Sequence, residues 1–122
     1  WKRLFGIDCD HIDQLEILRR AQLIEDDRAE KMVAWLSENA GSVHYGDKFT
    51  REAFLFQAKC YLATKDIVKE NGIDFASIKC MPDMTGHYTP QCLTAAFLPN
   101  TYDAEGKKRR WPCPARPTPT RR

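Results

Sequence analysis

The chain has 122 residues, 43% hydrophobic and 30% charged, with 19 Lys and Arg against 17 Asp and Glu. That length excludes a multi-domain enzyme, and the composition lies well away from the disordered regime. The formal charge of +2 hides a split, because residues 107–122 hold seven basic residues and no acidic ones. The remaining twelve basic and seventeen acidic residues give the body a net charge of −5. Body and tail are therefore read as different material, 1–106 and 107–122. No apolar run approaches the roughly 20 residues that span a bilayer, and no signal-peptide core is present. An opening Trp1 in place of Met is expected of an interior piece of a longer chain.

Arg3 to Asp8 reads as a short strand interrupted by Gly6, after which Asp8 or Asp10 can cap a helix. Ile12, Leu15, Ile17 and Leu18 fall near helical spacing. Glu25-Asp26-Asp27-Arg28 interrupts the pattern, and Ala29, Met32, Val33 and Leu36 resume it until Asn39-Ala40-Gly41. This is one bent helix or two. Asp47 or Thr50 opens the next helix, which runs to about Glu70 and stops at Asn71-Gly72. Its apolar residues Phe54, Leu55, Ala58, Tyr61, Leu62 and Val68 cover a broad face, so burial is expected.

Phe75 to Cys80 reads as a second strand and Met81 to His87 as a loop. Thr89-Pro90 has the pattern of a helix start, with a last helix over Gln91 to Leu98 ended by Pro99-Asn100. The order strand, helices, strand, helix predicts an α/β fold: a partial Rossmann-like layer with parallel strands in an incomplete domain. Ligands in open α/β sheets sit beyond the carboxyl ends of strands, so the loop after Cys80 is the expected place for a site.

The five cysteines are odd in number and scattered, with no C-x-x-C pair. Free thiols in a reducing cytoplasm are the plainer reading. Asp8-x-Asp10-His11-x-Asp13 gathers three carboxylates and an imidazole, as a metal site does, but an acidic helix start interacting with the dipole is the plainer reading. His87 and Cys92 lie five positions apart, about 140° around a helix, which disfavours a shared ion. His44 and Tyr45 read as loop residues between helices. There is no Gly-rich phosphate loop, nucleophile elbow or H-E-x-x-H.

The stretch from Asp74 to Thr85, with His87-Tyr88, Gln91-Cys92-Leu93, Ala95-Ala96-Phe97-Leu98 and Tyr102 to Gly106, resembles the L-fucose isomerase family. Gly6-Ile7-Asp8, Asp10-His11 and Leu15-Glu16-Ile17 resemble the start of that family's second, middle domain. The resemblance implies a piece of a cytoplasmic, manganese-dependent aldose–ketose isomerase acting on L-fucose or D-arabinose. It also implies a homohexamer and proton transfer between C1 and C2 through an ene-diol. The family's Glu, Asp and His metal ligands have no counterpart here, so no catalytic or metal residue is assigned and the chain alone is expected to be inactive. Met81 stands where the family commonly places a sugar-contacting Gln, and Gly86 where it often has Asp.

Lys107-Lys108-Arg109-Arg110 and the Pro-rich residues after them read as a disordered basic arm for nucleic acid. Pro114-x-x-Pro117 reads as a polyproline ligand. The Arg, Pro, Ala and Thr composition fits better a shifted reading frame in GC-rich DNA, beginning where the isomerase resemblance stops. On that reading nucleic acid is not a partner. The alternative, from a different class, is a small helical interaction module with a basic Pro-rich tail that binds nucleic acid or a partner.

Overall fold

A helix of 20 residues, α4 (Arg51–Glu70), forms the axis on which the other long elements pack. The computed structural model describes residues 1–108. The Pro-rich part of the tail, with Cys113, lies outside the described residues. Before the axis come α1 (Lys2–Phe5), α2 (Gln14–Ala21) and α3 (Asp26–Asn39). After it come α5 (Asp83–His87), α6 (Cys92–Phe97) and a hairpin of β1 (Tyr102–Asp103) and β2 (Gly106–Lys107).

Local chemistry sets the limits of the axis. The Thr50 hydroxyl accepts from the Ala53 N–H at 3.2 Å, satisfying a first-turn donor that has no helical partner. At the other end Gly72 takes a left-handed φ of 61°, and the Ile73 N–H donates to the Val68 carbonyl at 3.0 Å. A six-residue backbone bond of this kind ends the helix at a glycine because only glycine takes positive φ without a steric cost.

The axis is buried on two sides. Phe54, Ala58, Tyr61 and Leu62 meet Ala29, Met32, Val33 and Leu36 of α3. Cys60, Ala63 and Ile67 meet Ile17, Leu18 and Ala21 of α2, with Met84 of α5 closing the cluster. Tyr61, Leu62 and Met32 are fully enclosed. Truncating a buried Leu to Ala costs roughly 2–5 kcal/mol, so these contacts dominate the stability of the body. Surface ion pairs such as Glu16–Arg19 and Arg51–Glu30 add little to this, because solvent screens them.

The parallel-strand α/β layer is not found. Among the described residues the only sheet is the antiparallel β1–β2 pair, with Tyr102 opposite Lys107 and Asp103 opposite Gly106. Arg3 to Asp8 begins as helix: the Trp1 and Phe5 rings meet at a tilt one turn apart, 5.5 Å between centroids, and Gly6 closes the turn with φ 68°. Residues 75–80 form neither strand nor helix. A strand is a relation to a neighbour, and no neighbouring strand stands beside this segment among the described residues.

Other boundaries shift for equally local reasons. The helical stretch before Gly41 is two helices, and Asp13 caps the first, accepting from the Leu15 N–H at 2.9 Å. Asp8 and Asp10 lie ahead of that cap. Ile12 and Leu15 are exposed, because the buried face runs through Ile17, Leu18 and Ala21. Met81 to His87 is not all loop, since α5 occupies its second part. Thr89-Pro90 does not start α6: Gln91 is its N-cap, and Thr89 is buried. No described helix is long and apolar enough to cross a membrane.

Candidate functional site

The loop that the strand–loop argument singles out lies between residue 80 and α6. Met81 is 65% exposed, and a cis bond joins it to Pro82. The Thr85 N–H donates to the Cys80 carbonyl at 3.1 Å and the Gly86 N–H to Pro82 at 2.7 Å, folding the loop into the single turn of α5. Met84 points into the core, which leaves Met81, Thr85, His87 and Tyr88 on the outside. Lys79 and Asp83 pair loosely at 3.8 Å along this rim.

The segment leading into the loop borders an open groove of about 460 Å³. It is lined by Phe75, Ala76, Ile78, Ala95, Leu98 and Pro99, among others. Phe75 is 64% exposed, so the groove has an apolar wall that water reaches freely. Asp83, Thr85 and His87, exposed on the loop outside the groove's lining, supply hydroxyl-compatible donors and acceptors, whereas the Met81 thioether offers only a weak acceptor. This is surface chemistry suited to holding a ligand edge. No nucleophile–base pair is built into it.

The other sequence candidates do not assemble. Asp8 pairs with Lys2 at 2.8 Å, Asp10 accepts from its neighbour's N–H at 2.8 Å, and Asp13 is spent on the α2 cap. His44 and Tyr45 do lie in a loop, where Tyr45 stacks on Phe49 at 5.7 Å. Among the described residues no three His, Cys, Asp or Glu side chains converge on one point. The described residues offer no ligand set that fits a manganese centre.

A cluster that the sequence reading missed sits where the hairpin meets α3 and α4. The Tyr61 hydroxyl donates to Asp103 at 2.5 Å, and Lys65 donates to Asp103 at 2.6 Å and to Glu105 at 2.7 Å. Arg28 spans Asp66 and Glu105 with paired hydrogen bonds to each. Lys108 donates to the Phe97 carbonyl, to Leu98 O and the Tyr61 hydroxyl at 3.2 Å each, and lies over the Tyr61 ring. Two cations, Arg28 and Lys65, thus meet three carboxylates, and Lys108 is held by carbonyls and the Tyr61 hydroxyl.

Electrostatics in the cluster follow from that pairing. Burial alone would raise the Asp103 carboxyl, but its bonds to Lys65 and Tyr61 outweigh burial and hold it below its usual value. Glu105 is held down to about 2, chiefly by Arg28 and, against the effect of burial, by Lys65. Burial and the Asp103 bond push the Tyr61 hydroxyl well above the normal tyrosine value, so it stays protonated. Burial lowers the Lys108 ammonium. Every side chain here already has a partner, and the cluster acts as a clamp on the hairpin.

No protein-family model, curated protein or solved structure matches this chain. The clamp could be sought in sequence through Asp103-x-Glu105 beside Gly106, an acidic turn following an apolar helix. Its partners lie 38 to 77 positions upstream, and no spacing rule connects them.

Proposed function

We propose that the chain is a helical piece of the second domain of an L-fucose isomerase-type aldose–ketose isomerase. Its contribution is the ligand-facing loop around Met81; the metal ligands belong to chain that it does not contain. The observation that carries the reading is the ordered run of resembling residues from Asp74 to Gly106. Support comes from the loop itself, where Met81, Thr85 and His87 are exposed, and from the preceding residues 74–78, which line an open apolar groove. An apolar wall left this open is suited to being covered by further chain.

In this reading the intact enzyme is a cytoplasmic homohexamer that uses manganese. The metal supplies charge stabilisation when bound, and this chain holds one side of the sugar. Met81 provides contact without a hydrogen-bond donor, so it does not read a hydroxyl as Gln does. The chain by itself binds no manganese at that site and isomerises nothing.

The coding DNA beyond the Gly106 codon, read in all frames, tests the proposal. An adjacent frame encoding a remainder with Glu, Asp and His ligands is expected, and its in-frame fusion should convert L-fucose or D-arabinose to the ketose with manganese. Absence of such a frame contradicts the reading, as does metal-dependent turnover by the purified chain alone. Salt-sensitive nucleic-acid binding that disappears when residues 107–122 are removed favours the basic-tailed interaction module.

A further inference from the structure

We propose that the open groove beside residues 74–78 is the docking site of this chain's own Trp111, by which the basic tail covers the apolar wall of the body. At about 460 Å³ the groove is within the size range of sites that enclose a small organic group. Its walls differ in exposure: Leu98 is buried and Ile78 half-buried, forming the floor, whereas Phe75 stands at the outer rim. Ala95 and Pro99 complete the α6 side. An aromatic ring laid on that floor removes apolar surface of both partners from water.

The path of the chain out of the body brings Trp111 within reach. β2 ends at Lys107, and the Lys108 N–H then donates to the Thr101 carbonyl at 2.9 Å. The Lys108 ammonium donates to the carbonyls of Phe97 and Leu98, which holds the chain against the end of α6. That end is one wall of the groove. Trp111 comes three positions later and is the only aromatic or large aliphatic residue in 109–122. Three residues of extended chain reach about 10 Å. A ring on so short a tether has an effective concentration in roughly the millimolar range, so even a weak apolar contact populates the docked form.

Charge selects the same occupant. Asp74 on the groove wall makes no ion pair among the described residues, and the body carries a net charge of −5. Arg109 and Arg110 immediately precede Trp111 and supply two positive charges within the same reach. The indole takes the floor, leaving Phe75 at the rim and the backbone of 75–79 without new hydrogen bonds. Docking rests on these side chains alone, whichever frame the tail belongs to and whether or not the body is an isomerase piece.

Nuclear Overhauser contacts in the isotope-labelled full chain test the docking. Trp111 indole protons are expected against the methyl groups of Ile78 and Leu98. A mixture of labelled and unlabelled chain separates contacts within one chain from contacts between two copies, and contacts within one chain are expected. Ile78→Asp, with circular dichroism unchanged, should abolish them and speed tryptic cleavage after Arg109 and Arg110 about threefold, because cleavage tracks the undocked population. Asp74→Asn should speed it by a smaller factor. Absent contacts in the unsubstituted chain, contacts of Trp111 with another face or with a second copy, or cleavage that neither substitution changes would overturn the proposal.

Discussion

The hairpin side of α4 and the segment from Asp74 to Tyr88 follow one another on the same short chain, yet different things hold them in place. On the hairpin side, enclosed Tyr61 joins Asp103, Lys65, Glu105, Arg28 and Lys108 in a closed set of bonds above a packed α3–α4 interface. In the other segment only Met84 enters the core, while Phe75, Met81 and Tyr88 face solvent. One region is determined by contacts within the body. The other carries the residues that resemble a ligand loop, and its apolar surface faces outward. The lesson is that packing strength and candidate function are segregated along this chain.

Truncation gives the largest contrast. Leu62→Ala should cost about 2–5 kcal/mol through lost contacts and a residual cavity. Phe75→Ala should stay within about 0.5 kcal/mol, because the ring is already in water. Urea denaturation of both variants checks the pair, and equal costs would erase the distinction between the regions. Asp103→Ala comes next, at about 2–3 kcal/mol, since it leaves Lys65 and the Tyr61 hydroxyl without their shared acceptor. The same measurement on Asp83→Ala, at the exposed rim, is expected to show almost no change.

Acid sharpens the comparison with a smaller effect. Glu105 is held down to about 2 against an ordinary value of 4.5, so its folded state favours the ionised form. The associated stability is therefore fully present above about pH 4.5 and is lost as pH falls towards 2. Glu105→Gln should flatten that part of the stability–pH profile. An unchanged acid limb would show that Arg28 and Lys65 do not hold the carboxylate.

Much of the helical body was legible in sequence because its signals are local. Thr50 as a cap, Asn71-Gly72 as a stop, and the apolar positions of α3 and α4 all act within a few residues. The strands were not legible in the same way. Phe75 to Cys80 has the composition of a strand, but composition cannot supply the neighbour that pairs with it. Trp1 and Phe5 favour a helical turn through a contact four residues apart, which an alternating pattern overlooks. At the site, Met81 was located by resemblance and its exposure by structure. Tyr61 was read only as an apolar position, because its hydroxyl finds Asp103 across 42 positions. Thr89-Pro90 had the chemistry of a helix start, but Gln91 became the cap as its side chain bonded back to the Thr89 carbonyl and accepted from Thr94.

Amide hydrogen exchange on the intact chain tests the segregation of packing from the candidate loop most directly. Amides over 54–68 should exchange at least about 1,000-fold more slowly than those over 75–79, as buried helix bonds open only with the body while solvent-facing backbone needs no opening. Protection of 75–79 comparable to that of α4 would contradict the account, because it would make the segment a packed part of the same core.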